Sequence, residues 1–169
     1  MELYLLRHGI AEPATTWPEA DGRRPLTAAG RARVARVADA MGQLELGLQV
    51  VLTSPLLRAY QTAEIVVQQI SGARLVQDRR LEPGFDADRL AEILGDYGGE
   101  QVLMLVGHEP DFSRTVGQLT GARVVMKKAG VACVDLPAPP SLQGRLLWLA
   151  PPKVILAAGR GERGEREED

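Results

Sequence analysis

The sequence predicts an α/β fold: a three-layer sandwich in which a mostly parallel central sheet carries helices on both faces. Two patterns point there. Short apolar runs, several of them unbroken, recur along the chain and read as strands covered on both sides. Between them lie segments whose apolar residues follow helical spacing, and strands alternating with helices build parallel sheets. The length of 169 residues, with 45% hydrophobic and 25% charged residues, suits one globular domain with a sizeable core.

The strands are predicted at Leu3–Leu6, Val50–Leu52, Val102–Val106, Val131–Leu136 and Leu146–Leu149, with Ala73–Val76 a weaker candidate. Val34, Val37, Met41 and Leu44 mark one helix face, with Thr27 as N-cap. Leu56, Tyr60, Ala63, Val67 and Ile70 mark a second helix, opened by Ser54 at the N-cap and Pro55 at the first helical position. Leu90, Ile93 and Leu94 give a shorter helix that stops near Gly98-Gly99. Phe112, Val116 and Leu119 give a fourth, ended by Gly121. From Gly159 the chain reads GRGERGEREED, with no apolar residue to offset its ordering entropy. The expected organisation is therefore a domain over residues 1–157 and a charged tail without packed structure over 158–169.

Composition narrows the function. A formal net charge of -2 gives no global field toward nucleic acid or an anionic membrane. No apolar run approaches the roughly 20 residues of a membrane span, and no secretory signal is visible, so a cytoplasmic location is expected. The single cysteine, Cys133, forbids an internal disulfide and reads as a small buried hydrophobe. Two histidines and one cysteine make a transition-metal site unexpected.

Both histidines fall just past the end of a predicted strand. LYLL runs into Arg7, His8 and Gly9, and VLMLV runs into Gly107, His108, Glu109 and Pro110. Ligands of such sheets bind beyond the carboxyl ends of the strands. One histidine at a strand end carries little, since a structural histidine is the commoner outcome. Two from two, each beside a glycine, carry much more. A third strand, VVL, runs into Thr53, Ser54 and Pro55, with Arg58 in the first turn of the next helix. Helical side chains lean toward the N-terminus, so Arg58 can reach back to the strand end. Arg7, Arg58 and a helix N-terminus make a cradle for a phosphoryl group.

The combination of Arg7-His8-Gly9, SPLLRAYQTA over residues 54–63 and Gly107-His108 resembles the histidine phosphatase superfamily. Within it the chain is similar to the small phosphohistidine phosphatases of the SixA type. RRPLTAAG over residues 23–30 and Leu81-Glu82-Pro83-Gly84 extend the likeness, which runs from Met1 to about Ile155 and leaves out the tail. The resemblance implies a phosphoglycerate-mutase-like fold and a phosphatase that needs no metal or other cofactor. It implies that His8 is the nucleophile, with one ring nitrogen free and the other held as N–H by a carbonyl that the tight turn at Gly9 can supply. Arg7, Arg58 and His108 would bind the phosphoryl oxygens, with Gly9 and Ser54 among the substrate contacts, and His108 would serve best as a cation.

Candidate proton donors are Glu82, Glu109 and Asp21, and the resemblance makes none of them catalytic. A P–N bond to imidazole needs less acid assistance than a P–O bond to an alcohol, so a missing acid fits a phosphohistidine substrate. The implied partner is a phosphohistidine-bearing protein. A phosphomonoesterase acting on a sugar phosphate or a nucleotide intermediate is the alternative, and an inactive phosphate-binding module comes third. Lys127-Lys128 read as a solvated turn, Trp148 as core, and Trp17 as either packed or cleft-lining.

Overall fold

The computed structural model of the protein describes residues 1–70, 72–137 and 140–165, with 160–165 described by backbone alone. In chain order the elements are β1 (Glu2–Arg7), α1 (Ala28–Gly42), β2 (Val50–Thr53), α2 (Leu57–Gln69), β3 (Arg74–Gln77), α3 (Ala87–Tyr97), β4 (Val102–Gly107), α4 (Asp111–Thr120), β5 (Val131–Asp135), β6 (Arg145–Ala150) and α5 (Pro152–Glu165). Short 3-10 turns occupy Asp21–Arg23 and Arg79–Leu81.

The six strands form one sheet in the order β3-β2-β4-β1-β5-β6. The pairs β3/β2, β2/β4 and β4/β1 are parallel, while β5 runs against both β1 and β6. Alternate strand residues feed two cores. Leu3, Leu5, Val50, Leu52, Leu103 and Leu105 face α3 and α4, whose Leu90, Ile93, Phe112 and Val116 close that side. Tyr4, Leu6, Val51, Met104 and Val106 face the opposite way, toward Val37 and Met41 of α1, Ala63 and Val66 of α2 and Ile155 of α5. This is the expected three-layer sandwich. Burying each large apolar side chain contributes roughly 1.5–3 kcal/mol, which explains why both faces of the central strands read as unbroken apolar runs.

Two helix limits follow from caps that the sequence predicts. The Thr27 hydroxyl accepts the Gly30 N–H at 2.9 Å, as its sequence position predicts. Gly121 ends α4 with φ 73, a left-handed conformation that glycine adopts without a Cβ clash. Leu44 is a correction: α1 stops at Gly42, and Leu44 is 48% exposed.

Helix α2 departs from expectation in start and face. It begins at Leu57, and the capping residue is Leu56, whose side chain makes no cap. Ser54 and Pro55 precede the helix, and Ser54 turns its hydroxyl to other partners. The buried face carries Arg58, Ala59, Thr62, Ala63 and Val66. Two of these residues are polar, so apolar periodicity alone points to the wrong stripe.

Helix α5 is not anticipated by the sequence. It carries the expected domain boundary at 157 inside it and extends to Glu165, so the first part of the predicted tail is helical. Within this extension Gly159 is buried against α1, where a Cβ would stand 2.9 Å from the Ala40 Cβ. Apolar content alone misses such backbone-to-helix packing. The remaining tail residues, 166–169, lie outside the described residues.

Candidate active site

Because β4 lies between β1 and β2, the carboxyl ends of these three strands stand side by side. Leu6 pairs with Val106, and Val106 with Thr53, so Arg7, Gly107 and Ser54 leave the sheet at one level. His8 and His108 follow directly, with ring centroids 5.3 Å apart at an interplanar angle of 56°.

His8 is 7% exposed. Its main-chain N–H donates to the Gly107 carbonyl at 3.0 Å, which ties the β1 exit to β4. Its Nδ1 lies 2.7 Å from the Gly9 carbonyl oxygen. A carbonyl only accepts, so Nδ1 carries the proton and Nε2 keeps its lone pair. Burial pushes the His8 pKa down to about 3; the Gly9 bond opposes this, and His108, Arg58 and Arg7 add to it. His8 is thus neutral at physiological pH. The turn itself is pinned by Thr62, whose hydroxyl accepts the Gly9 N–H at 3.0 Å and donates to the Arg58 carbonyl at 2.7 Å. A Cβ at Gly9 would come within 2.6 Å of Val34, so the close approach of the turn to α1 requires glycine.

His108 is 4% exposed, and its Nε2 lies 2.9 Å from the Ser54 hydroxyl oxygen. That oxygen also accepts the Leu56 N–H at 3.3 Å. Burial lowers the His108 pKa to about 4, the Arg58 charge acts the same way, and Asp111 and Asp21 oppose them. Without an anion beside it His108 is neutral. Gly9 and Ser54, expected among the substrate contacts, use these polar groups to hold the two histidines.

Arg58 is 5% exposed and donates to both the carbonyl and the carboxylate of Asp21, each at 3.0 Å. Arg7 donates to the Met126 carbonyl at 2.8 Å. Burial lowers both guanidinium pKa values, against Asp21 for Arg58 and Glu109 for Arg7, and both stay charged. Arg7 Nε, Arg58 Nε and His108 Nδ1 are buried with no hydrogen-bond partner. A buried polar nitrogen without a partner is costly, and these three belong to residues gathered around His8.

The candidate acids stand as follows. Asp21 is an ion-pair partner: burial pushes its pKa up, but the bond from Arg24 and the charges of Arg58 and Arg24 outweigh this and hold it low. It is a poor proton donor. Glu109 accepts from Ser113 Oγ at 2.8 Å. The Glu82 side chain is half-buried and makes no hydrogen bond or ion pair among the described residues. The sequence reading missed Arg24 and Asp111. Arg24 braces Asp21. Asp111, 3% exposed, accepts the Gly84 N–H at 2.8 Å and pairs with Arg114. Arg24 lies in a segment without periodicity; Asp111, at the start of α4 just after His108, was the one readable signal. No helix among the described residues is long and apolar enough to cross a membrane.

Comparison with known proteins bears on the family and the fold. A family model described as the histidine phosphatase superfamily, branch 1, matches residues 3–83. An uncharacterized protein of Picosynechococcus is 40% identical over 138 residues, spanning 78% of this chain and 82% of that protein. The structure of the protein histidine phosphatase SixA complexed with tungstate superposes with a TM-score of 0.79 at 25% identity, covering 92% of this chain and 99% of that one. A mycobacterial glucosyl-3-phosphoglycerate phosphatase shares the fold, with a TM-score of 0.70 at 18% identity over 88% of this chain and 99% of that one.

Proposed function

Because this chain belongs to the histidine phosphatase superfamily, we propose that it hydrolyses phosphohistidine on proteins, with His8 carrying the phosphoryl group between two steps. The observation that carries this reading is the state of His8: buried, neutral, bonded through Nδ1 to Gly9, and flanked by three unpaired buried nitrogens.

In the first step the Nε2 lone pair attacks phosphorus in line. The P–N bond to the substrate imidazole breaks, and the ring, whose other nitrogen already carries a proton, leaves as neutral imidazole. In the second step water attacks phospho-His8, the P–N bond to His8 breaks, phosphate leaves, and Nε2 regains its lone pair. Arg7 and Arg58 supply fixed positive charge to the phosphoryl oxygens. When the Ser54 hydroxyl donates to His108 Nε2, the His108 ring proton sits on Nδ1, the unpartnered atom, and completes the set of donors. A bound phosphoryl group also raises the His108 pKa, so substrate itself favours the cation. A solved SixA structure holds tungstate, a tetrahedral oxyanion of similar shape, which supports an oxyanion site of this kind.

The leaving group favours phosphohistidine over an alkyl ester. Asp21 is held ionised by two arginines, and Glu109 is engaged by Ser113. An alkoxide leaving group needs a proton donor, and an imidazole needs far less help. A phosphomonoesterase on a sugar phosphate or nucleotide intermediate is the second reading, supported by the fold shared with the mycobacterial glucosyl-3-phosphoglycerate phosphatase. Arg7, His8, Arg58 and His108 are all present, which speaks against an inactive binding module.

Brief incubation with a radiolabelled phosphohistidine peptide, quenched in alkali, tests the nucleophile. The expected result is an alkali-stable, acid-labile label on His8, and loss of both label and turnover in His8→Ala with the fold intact by circular dichroism. Turnover near wild type in His8→Ala would overturn the assignment.

A further inference from the structure

A groove of about 820 Å³ opens from the Arg7 side of the pocket and runs toward the start of α5. Arg7, Arg33, Arg36, Lys127, Lys128 and Lys153 line it, and no carboxylate among the described residues does. This gathering of cations stands out on a chain whose net charge is -2. Arg33, Arg36, Lys127 and Lys153 form no ion pair among the described residues. Between the charges lies an apolar surface of Ile10, Leu149, Leu156 and Val125, and Val125 is 69% exposed. Lys128 links groove and pocket: burial lowers its pKa, and the charges of Arg7, Arg24 and Arg58 lower it further.

Small-molecule sites fix their ligand with a few converging polar groups in an enclosed pocket. Here Arg33, Arg36, Lys127, Lys128 and Lys153 are exposed side chains spread along an open groove, an arrangement that selects a partner by charge complementarity and apolar contact. We propose that this groove docks a segment of the phosphoprotein that carries carboxylates and at least one large apolar side chain beside its phosphohistidine. The inference rests on the phosphohistidine reading and adds to it the recognition of the protein around the scissile group. Arg7 would touch both the phosphoryl group and the docked segment, so docking would also orient the substrate imidazole toward His8.

The test uses three peptides of equal length with a central phosphohistidine, flanked by Glu and Leu, by Gly and Ser, or by Lys and Leu. Each is assayed with the full chain and with the triple variant Arg33→Glu/Arg36→Glu/Lys153→Glu. The wild type should favour the Glu/Leu peptide over the Gly/Ser peptide by about tenfold in kcat/KM, mostly through KM. That preference should shrink between about 0.1 M and about 1 M salt, as the screening length falls from about 10 Å to about 3 Å. In the triple variant the order should invert toward the Lys/Leu peptide, while the Gly/Ser peptide and p-nitrophenyl phosphate keep their rates; loss of folding would lower all rates together and cannot produce an inversion. Equal wild-type rates on the three peptides, or a variant that keeps the acidic preference, would overturn the inference. So would a preference for small esters bearing a second phosphate, which would make the groove a small-anion subsite. A wild type that leaves every peptide intact yet turns over p-nitrophenyl phosphate would overturn the phosphohistidine reading itself, and this inference with it.

Discussion

His8 and His108 are the chain's two histidines, and both are held well below the usual histidine pKa near 6.5, at about 3 and about 4. The proposed attack by His8 needs its neutral form, which persists above its folded pKa. We therefore expect kcat/KM for the free enzyme to stay level from pH 7 down to about 5 and to fall only as the pH nears 4 to 3. An acid limb centred near 6.5 would contradict the burial argument. Stability has the matching sign. Between the unfolded pKa near 6.5 and the folded values, the unfolded chain binds protons that the folded chain refuses, so stability falls as the pH is lowered through that window. The urea midpoint should drop from pH 7 to pH 5, and less steeply in His8→Gln. Arg58→Ala and His108→Ala should each lower kcat by roughly 100- to 1,000-fold, the worth of one oxyanion donor. Thr62→Val should cost about 1–3 kcal/mol of stability by orphaning the buried Gly9 N–H, and should lower kcat by loosening the turn that aims His8. Arg7, His8 and His108 were legible because each stands beside a strand end that apolar runs mark clearly, and Arg58 because it falls in the first turn of the helix that follows such an end. Thr62 was legible only as a letter in a motif; its role depends on a turn more than fifty residues away, which no local pattern encodes. Asp21 was visible as a carboxylate, but its pairing with Arg24 and Arg58 was not, because loop geometry decides it.

At the scale of elements, the six strands and four of the helices could be read because each buries its own apolar face. The errors fall where polar or backbone packing overrides that rule. Helix α2 buries Arg58 and Thr62 for the site, so its apolar stripe misleads. Helix α5 packs Gly159 on Ala40, a contact that hydropathy does not register. The join between α1 and the His8 turn is a second backbone contact of this kind: Thr27 donates its N–H to the Ile10 carbonyl at 2.9 Å, and a Cβ at Gly30 would stand 2.0 Å from that oxygen. Gly30→Ala must therefore push α1 away from the segment that carries His8 and Gly9. The expected outcome is a loss of about 1–3 kcal/mol in urea unfolding together with a fall in kcat. Unchanged stability would show that the two segments are less tightly joined than this geometry requires.

For the molecule as a whole, the layer arrangement was legible and the strand order only in part. The motifs at the ends of β1, β2 and β4 demanded that those strands be neighbours, and they are; nothing in the sequence marked β5 as the strand that runs against the rest. The fold serves both protein and metabolite phosphatases, so substrate class rests on the leaving group that the site can expel. A general acid is worth roughly 100- to 10,000-fold, and an alkyl phosphate turned over without one should lag by a factor of that order. The measurement that bears most directly on this account is kcat/KM for a phosphohistidine peptide and for an alkyl sugar phosphate, with wild type and with Glu82→Gln. The account predicts that the peptide is preferred by at least about a hundredfold and that Glu82→Gln leaves its rate unchanged. A preference for the sugar phosphate that disappears in Glu82→Gln would contradict it, and would make Glu82 the general acid of a metabolite phosphatase.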